Sequence, residues 1–256
     1  MTKYYKSNYF NYPIEVDNIN WEIIISIIDT SWRKIIYSWY DLVWKNTESK
    51  YITNWILWWL LNGIPEKVLI LWFWWWAYAK YIEDHISNTK ITGVDIDGAM
   101  FKIAKKELNI KTNILLTCDY LSALNNFKNL SEKFDLIFID IYWKNWEIPD
   151  NFNEIETYLL IKVSLNVKWI ISINFANYSW INIWKYNKIH HFLKTIFWEN
   201  YIHINWEKNN KWNIIWIYNL DKKYLSEEVN MNYLKLVKEG KILYDSNMVK
   251  NTYVEK

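Results

Sequence analysis

The chain has 256 residues, 52% of them hydrophobic, and a formal net charge of +2. That length can bury a sizeable core, as one domain or one domain plus a small appendage. The near-neutral charge argues against nucleic acid or an anionic membrane as the main partner, and the single cysteine, Cys118, excludes an internal disulfide and a multi-cysteine metal site.

Residues 1–20 are polar and aromatic without a clear period. The opening residues are followed by no apolar stretch of the signal-peptide kind, and no run of about 18 apolar residues occurs. A soluble, cytoplasmic protein is the expectation. Residues 22–28 and 33–37 are rich in β-formers, and the Asp29-Thr30-Ser31-Trp32 turn between them predicts a hairpin. Residues 49–61 read as a helix stopped by Asn62-Gly63.

From residue 68 the pattern changes to alternating strands and helices. Strands are predicted at 68–71, 90–95, 113–117, 134–140 and 169–174, with helical stretches at 78–86, 99–108, 121–131, 152–166 and 186–197. The run at 134–140 is almost uninterrupted in apolar character, as suits a strand buried on both faces. Residues 201–205 and 213–219 follow as two strands too close together for a crossover helix, so they must pair antiparallel. The pattern predicts an α/β fold, a Rossmann-like, doubly wound, seven-stranded and mostly parallel sheet with a small N-terminal β-rich extension. The expected divisions are the extension and a connecting helix at 1–62, the Rossmann-like domain at 63–220, and a charged, partly helical tail at 221–256.

The turn between the first strand and the first helix of this domain is chemically odd. It reads Trp72-Phe73-Trp74-Trp75-Trp76. A tight strand-to-helix turn wants residues that tolerate positive φ and let a ligand approach the backbone, which is the property of glycine. With glycine at the four tryptophans the stretch becomes a glycine-rich nucleotide-binding loop. Composition points the same way: the chain carries 20 tryptophans and 4 glycines, whereas an average chain of this length carries roughly 18 glycines. Trp32 and Trp39 also stand where turns are expected. Some bacterial lineages read the codon UGA as glycine, and the abundance of Asn, Ile, Lys and Tyr suggests an AT-rich gene. Most of these tryptophans are therefore read as UGA-encoded glycines.

Ligands of open α/β sheets bind beyond the carboxyl ends of the strands. Four such ends carry suggestive residues. The first is the 72–76 turn, whose backbone amides would face a polar or anionic ligand if glycine stands there. Asp95, 19 residues after Trp76, is placed to accept the hydroxyls of a ribose, while Asp97 reads as a helix cap. Asp119 follows the third strand and reads either as an acceptor for an adenine amino group or as the cap of the next helix. Cys118 reads as a small buried residue rather than a nucleophile. Asp140 ends the fourth strand, where a carboxylate can take a proton from a nucleophile, and Tyr142 is positioned to wall a substrate pocket. His190 and His191 fall on a helix away from these ends.

Over roughly residues 21–220 the chain resembles the class I S-adenosylmethionine-dependent methyltransferase superfamily, and within it the spermidine synthase-like branch. The resemblance rests on V-L-I-L-W-F-W-W-W with glycines restored, G-V-D-I-D, C-D-Y, F-D-L-I-F-I-D and the closing antiparallel strand pair. It implies a transferase using S-adenosylmethionine or decarboxylated S-adenosylmethionine, with no metal, acting on a small molecule by methyl or aminopropyl transfer. Polyamine biosynthesis is among the roles implied, and a homodimer among the assemblies. Trp72, Trp74, Trp75, Trp76, Asp95, Asp119 and Tyr120 are the implied cofactor-binding residues, and Asp140 and Tyr142 the implied catalytic ones. Asp140 falls on the first acid of the family's Asp-x-x-Asp signature; Trp143 replaces the second. The family's histidine and glutamine ahead of the glycine loop are not evident. Two other readings stay open. Positions 72, 74 and 77 also fit the G-x-G-x-x-A of an NAD-dependent oxidoreductase, and a non-catalytic nucleoside-binding homologue is the third.

Overall fold

The computed structural model describes residues 1–9, 11–28, 34–43, 45, 65–72, 76–86, 88–111, 114–140, 148–175, 180–197, 201–207, 210–219, 231, 234–235, 238–239 and 252–254. The predicted helix at 49–61, the turn at 29–32, Trp74, Trp75 and Tyr142 lie outside the described residues.

The N-terminal part is a four-stranded antiparallel sheet of β1 (Thr2–Lys6), β2 (Pro13–Ile19), β3 (Glu22–Ile28) and β4 (Lys34–Asp41), in that spatial order. The expected hairpin is β3 and β4. The first two strands were not expected, because residues 1–20 lack a clean apolar alternation. Ser38 and Trp39, expected in a turn, instead lie inside β4, where the Trp39 indole donates to Glu22 Oε2 at 3.2 Å. Between β2 and β3 the connection is only Asn20 and Trp21, closed by the Ile19–Glu22 pair. Both residues have positive φ, 50° and 72°. That is the pattern of a type I′ hairpin turn, which favours Asn-Gly because each central residue must enter the left-handed region.

The central sheet follows. In chain order its elements are β5 (Lys67–Leu71), α1 (Trp76–His85), β6 (Lys90–Asp95), α2 (Gly98–Leu108), β7 (Ile114–Thr117), α3 (Tyr120–Asn129), β8 (Phe134–Ile139), α4 (Ile155–Val163), β9 (Leu165–Phe175), α5 (Trp180–Phe197), β10 (Tyr201–Glu207), β11 (Asn210–Asn219) and β12 (Thr252–Val254). The spatial order is β12-β10-β11-β9-β8-β5-β6-β7. The five strands from β7 to β9 are parallel, and β11, β10 and β12 close the sheet antiparallel. The seven expected strands are joined by an eighth, β12, from the segment read as a tail. The strand pair is longer than expected and its connection shrinks to residues 208–209.

Period-2 alternation sorts the apolar residues of β5 between two cores. Val68 and Ile70 pack with α1, α2 and the N-terminal sheet, whereas Leu69 and Leu71 pack with α3, α4 and α5. The N-terminal sheet is fastened to the first core by Tyr40, which is fully buried and donates to Asp84 Oδ2 at 2.8 Å. Lys80 holds the other oxygen of that carboxylate at 2.8 Å. Among the described residues no helix is long and apolar enough to cross a membrane.

The Asn20–Trp21 turn yields a direct test. The Trp21 side chain is 67% exposed, so little packing is lost on its removal. A left-handed φ costs a non-glycine residue about 1–2 kcal/mol. Trp21→Gly is therefore expected to raise stability by about 1 kcal/mol in chemical denaturation; a loss of stability would mean that the indole does more than occupy the turn.

Candidate functional site

Two pairs of parallel strands flank β5: β6 and β7 on one side, β8 and β9 on the other. The strand order reverses at β5, so a crevice opens beyond the carboxyl ends of the neighbouring strands. The two sides meet in backbone hydrogen bonds. Asp140 N donates to Leu71 O at 3.4 Å, and Trp72 N donates to Val94 O at 2.8 Å. Trp72 has φ 69°, the left-handed region, at the first residue of the turn.

A cleft of about 410 Å³, part of it open to solvent, occupies this position. Its floor is Trp72, and Val94, Asp95 and Ile96 form one wall. Cys118, Asp119 and Tyr120 form the next wall, and Pro149 and Asn151 close the far side. Asp95 and Asp119 both line this cleft beside position 72, whereas Asp140, expected to converge there with them, is not among the lining residues.

Asp95 is fully buried and its Oδ1 accepts from Asp97 N at 2.7 Å. That bond fixes the carboxylate at the end of β6. Asp97 is the cap of α2, accepting from Ala99 N at 3.0 Å. The same carboxylate accepts from Asn8 N at 3.1 Å and from the Ser7 hydroxyl, tying the N-terminal segment to the cleft rim. The next residue, Tyr9, meets the Trp72 ring edge-on, with centroids 5.9 Å apart. Burial, and then the Asp95 charge, push the Tyr9 hydroxyl above its ordinary pKa.

Asp119 caps α3, accepting from Ser122 N at 3.0 Å and Ser122 Oγ at 2.5 Å. Burial works against its ionised form, but the Ser122 bonds prevail and hold its pKa below the usual carboxylate value. A capping carboxylate keeps lone pairs for a further donor, so the cap and a ligand contact are compatible. Tyr120 is buried at the same wall and donates to Asn151 Oδ1 at 2.7 Å.

Asp140 is 2% exposed and stands at the end of β8 beside the β5 turn, outside the set of side chains that line this cleft. Its neighbour Tyr78, fully buried on α1 against Phe138, has a hydroxyl pushed well above its ordinary pKa, first by burial and then by the Asp140 charge. Sequence reasoning missed Tyr78, which carries no motif. Trp76 departs from expectation. Its side chain is fully buried in the first core at the start of α1 and does not line the cleft. Its Nε1 has no hydrogen-bond partner among the described residues, although a buried indole N–H normally finds one.

The far wall was also missed. Lys185, 8% exposed on α5, donates to Ile148 O at 2.6 Å and Asp150 Oδ1 at 2.7 Å. Its signal in the sequence is one of three lysines on that helix, which does not reveal a partner more than thirty residues away.

No protein-family profile and no curated protein sequence matches the chain. Solved structures do. The chain superposes on a probable spermidine synthase from Corynebacterium glutamicum with a TM-score of 0.74 and 14% identity, covering 91% of this chain and 86% of that one. Human methyltransferase-like protein 13 in complex with SAH gives a TM-score of 0.63 and 16% identity over 77% of this chain and 94% of that one. A spermidine synthase in complex with the transition-state analogue AdoDATO gives 0.60 and 13%, over 99% and 85%. The chain therefore shares the Rossmann-like fold of these spermidine synthase and methyltransferase structures. The likeness to the spermidine synthases extends through the N-terminal sheet.

Cys118 offers a probe of the cleft. Burial and the Asp119 charge raise its thiol pKa above the ordinary value of 9.0. The thiolate is the reactive form, so alkylation near pH 8 is expected to be slower than that of a free thiol and to keep climbing above pH 9. A rate equal to that of a free thiol would contradict this placement.

Proposed function

We propose that the protein is a transferase that binds S-adenosylmethionine or its decarboxylated form in the 72–120 cleft. It passes a methyl or aminopropyl group to a small molecule. The observation that carries this reading is the convergence of two strand-end carboxylates on one cleft: the buried Asp95 and the rim Asp119, beside the position-72 turn. The donor set suits an adenosyl group. Asp95 can accept from ribose hydroxyls, and Asp119 from an adenine amino group.

The sulfonium supplies an already activated carbon, so the protein's part is alignment and proton acceptance. Asp140, buried at the strand-order switch, is the group that takes the proton of an amine nucleophile. The fully buried Tyr78 hydroxyl feels its charge. Position 143, tryptophan where the resembled signature has an acid, favours an acceptor that is not anchored through a second ammonium. The antiparallel closure of β11 and β10 is the observation that favours this reading over a dinucleotide oxidoreductase.

The reading includes glycine at the UGA-type positions of the cleft turn. Three features support it. Trp72 and Trp21 both sit at left-handed φ, and Trp76 buries an indole N–H that has no partner among the described residues. Trp72 also lines the cleft itself.

Calorimetry with S-adenosylhomocysteine tests the proposal on two forms of the full chain, one as printed and one with glycine at 72, 74, 75 and 76. The glycine form is expected to bind and the printed form to bind weakly or not at all. In the binding form, Asp95→Ala is expected to weaken affinity by about 1.5–3 kcal/mol, the value of a hydrogen bond to a charged group. Binding of NAD in preference to S-adenosylhomocysteine, or an unchanged affinity in Asp95→Ala, would refute it. Turnover with putrescine separates aminopropyl transfer from the other transfers.

A further inference from the structure

The wall opposite Asp95 is unusually well fixed for a connecting segment. Within 148–151, three residues are held by side chains from three different elements. Lys185 of α5 grips Ile148 O and Asp150 Oδ1. Thr157 Oγ1 of α4 donates to Asn151 O at 2.8 Å. Tyr120 of α3 donates to Asn151 Oδ1 at 2.7 Å. Phe152, just beyond, is 2% exposed and packs edge-on against Tyr120 with centroids 5.7 Å apart. Surface connections are ordinarily the mobile parts of a fold; this one is pinned at two carbonyls, of Ile148 and Asn151, and at two side chains, of Asp150 and Asn151.

Of the two, Asn151 is exposed and lines the cleft. An asparagine amide has one acceptor end and one donor end. Tyr120 occupies the Oδ1 end, so Asn151 is set to act toward the cleft as a donor through Nδ2. Asp119, immediately before Tyr120, is an acceptor lining the same cleft. A donor and an acceptor on one cleft match the edge of adenine, where the 6-amino group donates and the flanking ring nitrogens accept.

We propose that Asn151 is a base-reading residue: its Nδ2 donates to a ring nitrogen flanking the 6-amino group, N1 or N7, while Asp119 accepts from that amino group. Tyr120 and Lys185 act as positioning residues that set the Asn151 amide and the segment carrying it. This inference rests on the adenosyl reading and adds a residue to it.

The test is a mutant-by-ligand cycle on the full chain, in whichever form binds S-adenosylhomocysteine above. Affinities are measured for S-adenosylhomocysteine and for its 1-deaza and 7-deaza analogues. One analogue is expected to bind the parent protein roughly fivefold to tenfold more weakly, the cost of one hydrogen bond. Asn151→Ala is expected to lose the same factor for S-adenosylhomocysteine and nothing further for that analogue. Tyr120→Phe is expected to fall between, since the amide is kept but is no longer held.

A purely structural role for Asn151 would lower all three affinities together and leave the analogue penalty intact, which overturns the inference. So would both analogues binding the parent protein as well as S-adenosylhomocysteine does. If neither form of the chain binds S-adenosylhomocysteine, the adenosyl reading itself fails, which is a different result from an unaltered Asn151→Ala. Asn151→Asp, nearly isosteric, guards against misfolding: a carboxylate there is expected to repel the ring nitrogen and bind still more weakly than alanine.

Discussion

The structure turns on one backbone event at the end of β5. The chain must leave a fully buried strand and enter α1 within a few residues while staying bonded to both neighbouring strands. Trp72 N reaches Val94 O on β6, and Leu71 O receives Asp140 N from β8. Those bonds leave position 72 at φ 69°. A left-handed residue is what allows the backbone to turn under a ligand instead of through it, and glycine meets that requirement without steric cost. A tryptophan there meets it only with strain, and Trp72 lines the cleft.

From that turn the remaining parts follow in layers. β6 ends in Asp95, which is fixed by the amide of Asp97; Asp97 caps α2 and holds Ser7 and Asn8 of the N-terminal segment. The N-terminal sheet is thereby joined to the cleft rim by a carboxylate and to α1 by the Tyr40–Asp84 bond. On the far side, α3, α4 and α5 each contribute one side chain to the 148–151 wall. The cleft is a junction of elements distant in sequence, which is the usual consequence of a strand-order switch.

The parallel core was legible because its signals are local. Each of β5, β6 and β8 is a short apolar run, and each acid at a strand end stands in the sequence next to the strand that places it. The Asp97 and Asp119 caps were legible for the same reason. Three things were hidden. β1 and β2 mix tyrosine, lysine and acids, because one face of that sheet carries the Lys34–Glu15 and Lys34–Asp17 ion pairs. β12 is a three-residue strand recruited by the edge of β10, with no pattern of its own. The Lys185 and Tyr120 braces join residues 31 to 37 apart, a separation no periodicity reports. Tryptophan also masked the turns. Asn20-Trp21 reads as Asn-Gly, the strongest hairpin signal, once position 21 is glycine. Ser38-Trp39, by contrast, lies inside a strand, so not every tryptophan marks a bend.

The account stands on the identity of the residues in the β5–α1 turn. Peptide mass spectrometry of the protein isolated from its own organism, across residues 68–80, measures that identity directly. Glycine at 72, 74, 75 and 76 is the predicted result, and it would give the turn the backbone freedom its φ requires. Tryptophan at those positions would contradict the account, since the cleft would then be built around an indole and not around a ligand.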